Sequence, residues 1–217
     1  MSRIQPDLYA PEVVPVSRDR VGIIRALPAM KPFAKHRYLE EERAILRELL
    51  ANPRFVGKVL VDNRSNVVFP HADQNGSCGY GIKNRGFTGF AAGGEKGLWV
   101  SRVNGTDTAL VIAESGIDAL SYAALHPDAC ARYASFGGAL NAHQPALIQA
   151  TVERLSRDAA VRIATDNDKD GGGFAPTIEG VVVDTRRRDP VIEGVTPDGA
   201  KDWNDSLRGG RPNNGCG

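Results

Sequence analysis

The sequence predicts an α/β fold, in which a parallel sheet of about four strands is flanked by helices and preceded by a small α+β subdomain. Two observations lead to this prediction. In the C-terminal half, short apolar runs alternate with segments of helical periodicity, which is typical of right-handed βαβ crossovers. In the N-terminal half, β-branched runs are separated only by turn residues, which indicates an antiparallel meander.

The N-terminal elements follow from composition and spacing. Residues 1–35 contain five prolines and no sustained period, so we expect an extended N-terminal arm. Residues 37–51 (RYLEEERAILRELLA) place apolar residues at helical spacing and predict one helix. The segment GKVLVDNRSNVVFPHADQNGSCGYGIKN predicts the meander, and GFAAGGEKGLWVSR is expected to continue it. Residues 36–105 therefore form the predicted basic α+β subdomain.

The second predicted domain spans residues 106–207. Its four predicted strands are TALVIAE, RYASFGG, AVRIATD and PVIEGV. Its three predicted helices are GIDALSYAALH, QPALIQATVERLSRD and residues 174–188. Residues 208–217 are expected to form a flexible tail.

Composition limits the class of protein. The chain has 217 residues, of which 41% are hydrophobic, and no run of apolar residues approaches the length of a membrane span. No apolar segment follows the first positive charges, so we expect a cytoplasmic protein. The three cysteines form no CxxC pair, which argues against a disulfide framework and against a zinc ribbon.

The two halves of the chain differ in charge. Residues 1–105 carry 16 Lys and Arg against 10 Asp and Glu, whereas residues 106–217 carry 11 against 16. A basic half beside an acidic half suggests a polyanion bound by the first and metal cations bound by the second. Chance scatter of surface charge is an open alternative.

Acidic residues end two of the predicted parallel strands. Glu114 ends ALVIAE, Asp166 ends VRIATD, and Asp168 and Asp170 follow before three glycines. Because ligands bind beyond the carboxyl ends of such strands, we expect Glu114 and Asp166 to lie at one sheet edge. Oxygen ligands without His or Cys favour Mg²⁺ or Mn²⁺, and the glycines allow a phosphate to approach the backbone.

Three other interpretations of the acidic loop from Asp166 to Asp170 can be compared with its sequence. An EF-hand needs Glu at the twelfth position from Asp166, where this chain has Thr177. A phosphatase of the haloacid-dehalogenase type needs Thr or Val where this chain has Asp170. A solvated acidic turn without an ion stays open on this pattern alone.

The same motifs resemble a known family. VIAESGIDALS followed by ATDNDKDGGG is similar to the Toprim domain, the metal-binding catalytic module of bacterial primases, topoisomerases and some nucleases. The resemblance covers roughly residues 108–207, with YASFGGALN at the middle strand and glycine turn of the family. KDWND, residues 201–205, is similar to the closing motif of primase-like Toprim proteins of plasmids and other mobile elements. The segment VVFPHADQNGSCGYGIKNRGFTGFAAGGEKGLW is similar to the part of bacterial replicative primases that precedes Toprim.

The resemblance implies roles for individual residues. Glu114 is expected to be the general base or an indirect metal ligand, and Asp166 and Asp168 the direct ligands of Mg²⁺ or Mn²⁺. Asp170 is expected to be a further ligand, whereas Asp118 is expected to cap its helix or to assist the site. The accessory candidates near the same edge are Lys201, Asp202 and Asn204, with the open alternative that they hold the C-terminal strand against the sheet. The candidate contacts to nucleic-acid phosphates are Lys83, Arg85, Lys96 and Arg102.

Three functions are compatible with these features. The resemblance of both halves favours primase-like nucleotidyl transfer on single-stranded DNA, with nucleotides as substrates and a helicase, a relaxase or other replication and transfer proteins as partners. A metal-dependent nuclease on the same scaffold is the second function. A non-catalytic nucleic-acid-binding subunit of a mobile-element replication or transfer complex is the third.

Overall fold

The computed structural model describes residues 17–32, 35–167, 171–186 and 190–209. The strands of this part of the chain are β1 (Lys31–Pro32), β2 (Leu60–Val61), β3 (Val67–Asp73), β4 (Gly76–Asn84), β5 (Phe87–Phe90), β6 (Trp99–Val100), β7 (Ala109–Ala113), β8 (Ala131–Ser135), β9 (Ala160–Ala164) and β10 (Ile192–Val195). The α-helices are α1 (Arg20–Ala26), α2 (Arg47–Leu50), α3 (Gly116–Leu125), α4 (Gln144–Glu153), α5 (Gly171–Val183) and α6 (Trp203–Gly209). None of the helices in these ranges is long and apolar enough to cross a membrane.

The N-terminal sheet has the order β1-β2-β3-β4-β5, and every neighbouring pair is antiparallel. The predicted meander is therefore confirmed for β2 to β5. The expectation of an extended arm is wrong for residues 20–32, where α1 and β1 form. Helix α1 packs against β4: Ile23 is buried, and Arg20 donates to the Gly76 carbonyl of β4 at 3.0 Å and pairs with Asp73 at the end of β3 at 2.6 Å.

The predicted continuous helix over 37–51 is wrong. The chain forms one π-helical turn, Tyr38–Glu42, then breaks at Ala44, whose φ is +55°, before α2 begins. A continuous helix needs the Arg43 carbonyl to accept from the fourth residue beyond it. Instead, this carbonyl accepts a 2.8 Å hydrogen bond from the Asn204 side chain. The break thus coincides with a contact between Arg43 and Asn204 of α6.

The C-terminal sheet has the order β10-β9-β7-β8-β6, with four parallel strands and one antiparallel edge strand, β6. The predicted parallel sheet is confirmed. The prediction that β6 continues the meander is wrong, because Trp99 pairs with Ser135 of β8. Helix α4 is shorter than predicted, and α5 begins and ends earlier than predicted.

One hydrophobic core joins the two sheets. Val111 and Ala113 of β7 share a buried cluster with Phe69 of the N-terminal sheet and with Trp203 of α6. The opposite face of β7 packs under α4 and α5 in a second cluster. Because the N-terminal sheet packs on the α3 and α6 side of the parallel sheet, its residues can reach the carboxyl edge of β7.

Candidate active site

Glu114 and Asp166 lie side by side at the carboxyl edge of the parallel sheet. Strands β7 and β9 are neighbours, with Ala113 opposite Ala164, so the residues that follow them leave the sheet together. The Oε1 atom of Glu114 accepts a hydrogen bond of 3.0 Å from the backbone N–H of Asp166. Residues 52 positions apart are thereby joined directly, and the carboxylate of Glu114 has a fixed orientation.

A glycine turn after β8 holds the backbone of Glu114 from the other side. The N–H groups of Gly137 and Gly138 both donate to the Glu114 carbonyl, at 2.8 and 2.9 Å. Both glycines have positive φ, +76° and +93°, which other residues rarely adopt. At Gly137 a Cβ would also lie only 2.8 Å from the His71 ring. The turn needs glycine for both reasons.

Ser115 and Asp118 start helix α3 beside Glu114. Ser115 is the N-cap residue: its Oγ accepts from the Asp118 N–H at 3.3 Å and donates to the Asp118 carboxylate at 2.5 Å. The cap is therefore Ser115, and Asp118 lies in the first turn of α3, as the expectation of an acid at the helix N-terminus requires. Asp118 is buried, and this burial, together with the nearby charge of Asp202, raises its pKa to about 6, although the Ser115 hydrogen bond and the Lys83 and Arg43 charges oppose the shift.

These side chains line one cavity of about 240 Å³, which we call the carboxylate cleft. Its acidic lining residues are Glu114, Asp118, Asp166 and Asp202. Its basic lining residues are Lys83 and Arg43, and its other lining residues are Tyr38, Ser115, Ile117, Gly138 and Asn204. The cleft therefore combines carboxylates of the C-terminal domain with cations of the N-terminal one.

Lys83 comes from β4 and enters the cleft from the N-terminal sheet. It is half-buried, and its Nζ donates to the Thr88 hydroxyl at 3.3 Å. Burial lowers the pKa of Lys83, and the charges of Arg43 and Lys96 act in the same direction, while Asp118 opposes them. A partly desolvated ammonium group beside carboxylates is suited to bind a phosphate that enters the cleft.

Comparison with protein families identifies the domain that carries the carboxylates. Residues 111–207 match the family model described as Toprim-like. This segment is a Toprim-like domain. Residues 37–107 match a second family, described as a protein of unknown function (DUF3991). The comparison with curated proteins gave no match.

Two solved structures resemble most of the chain. The primase fragment of the bacteriophage T7 primase-helicase protein has a TM-score of 0.54 and 15% identity, covering 84% of this chain and 76% of that chain. The primase domains of bacteriophage T7 gp4, solved with the lagging-strand DNA polymerase, have a TM-score of 0.54 and 16% identity, covering 78% of this chain and 83% of that chain. The N-terminal sheet and the Toprim-like domain therefore have the fold of a primase fragment.

Two predicted metal ligands of the Toprim-like domain, Asp168 and Asp170, lie outside the described residues. In the ranges that the structure describes, no three His, Cys, Asp or Glu side chains converge closely enough to hold a metal ion. The loop that leads to Asp168 is anchored, because the N–H of Asn167 donates to the Lys201 carbonyl at 2.8 Å.

The accessory candidates lie at the start of α6. Asn204 is buried, lines the carboxylate cleft and donates to the Arg43 carbonyl at 2.8 Å and to the Ser121 hydroxyl at 2.9 Å. Asp202 lines the cleft, whereas Lys201 is exposed and contacts the acidic loop through its carbonyl. The Trp203 indole donates to the Ala164 carbonyl at 3.1 Å, which fastens α6 to the end of β9.

The four candidate phosphate contacts are not brought together. Lys83 lines the carboxylate cleft, and both Lys83 and Lys96 line the cavity next to it. Arg85 is exposed and pairs with Glu42 at 2.6 Å. Arg102 lies at the opposite edge, because its carbonyl accepts from Arg54, which also binds the carbonyl of Ala129, just before β8. A five-residue strand separates these edges by roughly 16 Å.

Two residues near the site were not predicted from the sequence. Arg43 lies in the broken helix, stacks over the Tyr38 ring at 5.2 Å and lines the cleft. His71 is buried on β3 and lines the neighbouring cavity. The sequence signal for His71 is its place in an alternating strand of apolar residues, where a buried imidazole needs a polar partner. Arg43 has no local signal, because its position depends on the break at Ala44.

Proposed function

We propose that this chain is a divalent-metal-dependent nucleotidyltransferase of the primase type, which joins nucleotides into a short primer on single-stranded DNA. The observation that carries the proposal is the carboxylate cleft, in which Glu114 and Asp166 of the Toprim-like domain face Lys83 of the N-terminal sheet. The primase-fragment fold covers both sides of this cleft, which supports primase chemistry over other Toprim activities.

The cleft fits a divalent cation in its donor chemistry. All four acidic lining residues offer oxygen, and neither His nor Cys lines this cavity, which is the ligand set of Mg²⁺ or Mn²⁺. Burial raises the pKa of Asp118, and the nearby charge of Asp202 adds to this shift, so a cation bound in the cleft would lower the pKa again. Glu114 and Asp166 would hold the ion together with Asp168 and Asp170, the further ligands that the sequence predicts.

The chain's own residues have separate roles in the proposed reaction. Glu114, oriented by the Asp166 N–H, accepts the proton of the attacking 3′-hydroxyl. A bond then forms between this oxygen and the α-phosphorus of a nucleoside triphosphate, while the bond to the pyrophosphate leaving group breaks. Lys83 binds a phosphate oxygen and orients the nucleotide. The metal ion, when bound, neutralises the charge that develops on the phosphates.

The substrates follow from the same proposal. The T7 primase domains of the second structure are bound to an RNA/DNA hybrid and dTTP. We propose a single-stranded DNA template and nucleotides for this chain, in a cytoplasmic replication or transfer complex of a plasmid or other mobile element. A helicase or a relaxase is the proposed protein partner, because a primase needs an exposed single strand.

One assay tests the proposal. The protein is incubated with end-labelled single-stranded DNA, all ribonucleotides and deoxynucleotides, and MgCl₂ or MnCl₂, with EDTA as the control. New oligomers that require the metal support the primase. Shortened DNA would show a nuclease, and retained DNA binding without either product would show an accessory subunit, so both outcomes contradict the proposal.

A further inference from the structure

A second cavity, of about 230 Å³, adjoins the carboxylate cleft, and we call it the glycine pocket. Its lining residues are Phe69, His71, Gly81, Lys83, Thr88, Gly89, Phe90, Lys96, Ser115, Gly116 and Gly137. Lys83 and Ser115 line both cavities, so the two cavities are neighbours that meet at these side chains. A ligand that fills the pocket can therefore extend past Lys83 to the carboxylates.

The walls of the pocket suit a flat ring. Phe69 and Phe90 supply aromatic surface, and Phe90 meets the His71 ring edge-on, with ring centroids 5.2 Å apart. Two glycines let the backbone pack closely against these rings: a Cβ on Gly116 would lie 2.2 Å from the Phe69 ring, and one on Gly137 would lie 2.8 Å from His71. The space is too small for a drug-sized molecule but accommodates one planar ring system.

His71 gives the pocket a buried polar group of known tautomer. Its Nδ1 lies 2.7 Å from the Gly97 carbonyl and therefore carries the proton, which leaves Nε2 as a hydrogen-bond acceptor. Burial lowers the pKa of His71 to about 4, so the ring is neutral at pH 7. The proposed primer synthesis makes no use of this group, and its Nε2 lies 3.8 Å from the position of a Cβ on Gly81.

We propose that the glycine pocket binds the base of the incoming nucleoside triphosphate, with His71 Nε2 accepting a hydrogen bond from a base N–H. This inference rests on the proposed function and specifies where its nucleotide is held. Lys83 and Lys96 at the pocket then meet the phosphates, and the α-phosphate lies toward Glu114. Among the described residues, this arrangement gives each part of the site a role. The mainly apolar glycine pocket holds the base, its two lysines bind the phosphates, and the neighbouring carboxylate cleft supplies the acidic residues.

Gly81 offers a way to close the pocket without disturbing the sheet. A Cβ at this position meets only His71 Nε2, at 3.8 Å, and valine is favoured in strands, so Gly81→Val should fold and fill the pocket. Gly194→Val is the matched control, because Gly194 also lies in a strand and its Cβ would point into open space. Thermal unfolding of both variants checks their folding.

The test compares ligands with and without a base. Calorimetric titration uses each of the four ribonucleoside triphosphates, with tripolyphosphate as the base-free probe, all in MgCl₂. We expect wild type and Gly194→Val to bind at least one nucleotide about tenfold more tightly than tripolyphosphate, and Gly81→Val to lose this difference. Equal affinities in wild type, or an undiminished difference in Gly81→Val, would overturn the inference. A single-stranded DNA oligonucleotide is titrated in the same way. If Gly81→Val loses affinity only for this oligonucleotide, the pocket binds a DNA base, and the inference is overturned.

His71→Phe provides an independent variant. The ring is kept, and the Gly97 carbonyl still accepts from the Gln144 side chain at 2.8 Å, so no buried carbonyl loses its only partner. We expect this variant to lose its preference among the four bases while its affinity for tripolyphosphate stays unchanged, and retention of that preference would contradict the role of Nε2. Base-dependent binding without primer synthesis would contradict only the proposed function, and synthesis without base-dependent binding only the pocket.

Discussion

Glu114 combines a fixed orientation with a position in the carboxylate cleft. We expect Glu114→Gln to reduce primer synthesis by about 10²–10⁴-fold, because glutamine keeps the shape and the acceptor for the Asp166 N–H but cannot take a proton. Binding of single-stranded DNA should change little. Rates are measured by primer extension, and binding by fluorescence anisotropy. Glu153→Gln, an exposed change on α4, is the control, and full activity of Glu114→Gln would exclude this residue as the base.

Asp166 is the predicted direct ligand that the structure places in the cleft. If it binds Mg²⁺ or Mn²⁺, the ion stabilises the folded state by about 2.7 kcal/mol at a concentration one hundred times its Kd. We expect Asp166→Asn to lose most of this stabilisation in calorimetry of EDTA-treated protein titrated with MgCl₂ or MnCl₂. Asp158→Asn, an exposed change before β9, should respond as wild type does. An unaltered response of Asp166→Asn would place the ion elsewhere.

Asp118 makes the metal-free protein sensitive to pH. Its pKa is about 6 in the folded state against 3.8 ordinarily, so the folded state binds more protons between these values and stability falls as pH rises through about 6. We expect Asp118→Asn to be more stable than wild type by about 3 kcal/mol at pH 7.5 in EDTA, and the gain to vanish below pH 4. Urea unfolding across this range measures it. A gain of equal size at both pH values would show that charge is not the cause.

At the scale of elements, α6 ties the acidic edge to the broken helix near the N-terminus. Asn204 satisfies the Arg43 carbonyl and the Ser121 hydroxyl, so Asn204→Ala leaves buried polar groups without this partner. We expect a loss of about 2–4 kcal/mol in the free energy of unfolding. Asn63→Ala, an exposed change in a turn, should stay within about 0.5 kcal/mol. If both variants unfold alike in urea, the link through α6 is not important for stability.

At the scale of the whole molecule, the two sheets place cations and carboxylates around adjoining cavities. Each phosphate contact on a single strand contributes about −0.7 to the slope of log K against log salt. In the absence of nucleotide, when these two cations are available to DNA phosphates, we expect the double change of Lys83 and Lys96 to Ala to flatten this slope by about 1.4 for DNA binding. Arg102→Ala, at the opposite sheet edge, should leave the slope as it is. Salt titrations of binding to a labelled single strand measure this slope. A flattened slope for Arg102→Ala, with an unchanged slope for the double variant, would show that DNA binds at the Arg102 edge instead.

The sequence alone determined the order of strands and helices from β7 to β10 in the Toprim-like domain and the edge that carries Glu114 and Asp166, whereas helix α6 was not predicted. Both follow from local signals, because β7, β8 and β9 are continuous apolar runs and parallel strands bring their ends together. The sequence motifs also indicated the resemblance to the Toprim domain. The match of residues 111–207 to the Toprim-like family model confirms this resemblance.

Only the tertiary structure decided what surrounds these carboxylates. Arg43 lines the cleft where the helix is interrupted, and its carbonyl accepts a hydrogen bond from Asn204, 161 residues away. Lys83, predicted for a separate basic half, lies in the acidic cleft because one core joins the two sheets. His71 becomes a buried acceptor through a carbonyl 26 residues along the chain. Such contacts depend on residues distant in sequence, which periodicity and composition within a short window do not report.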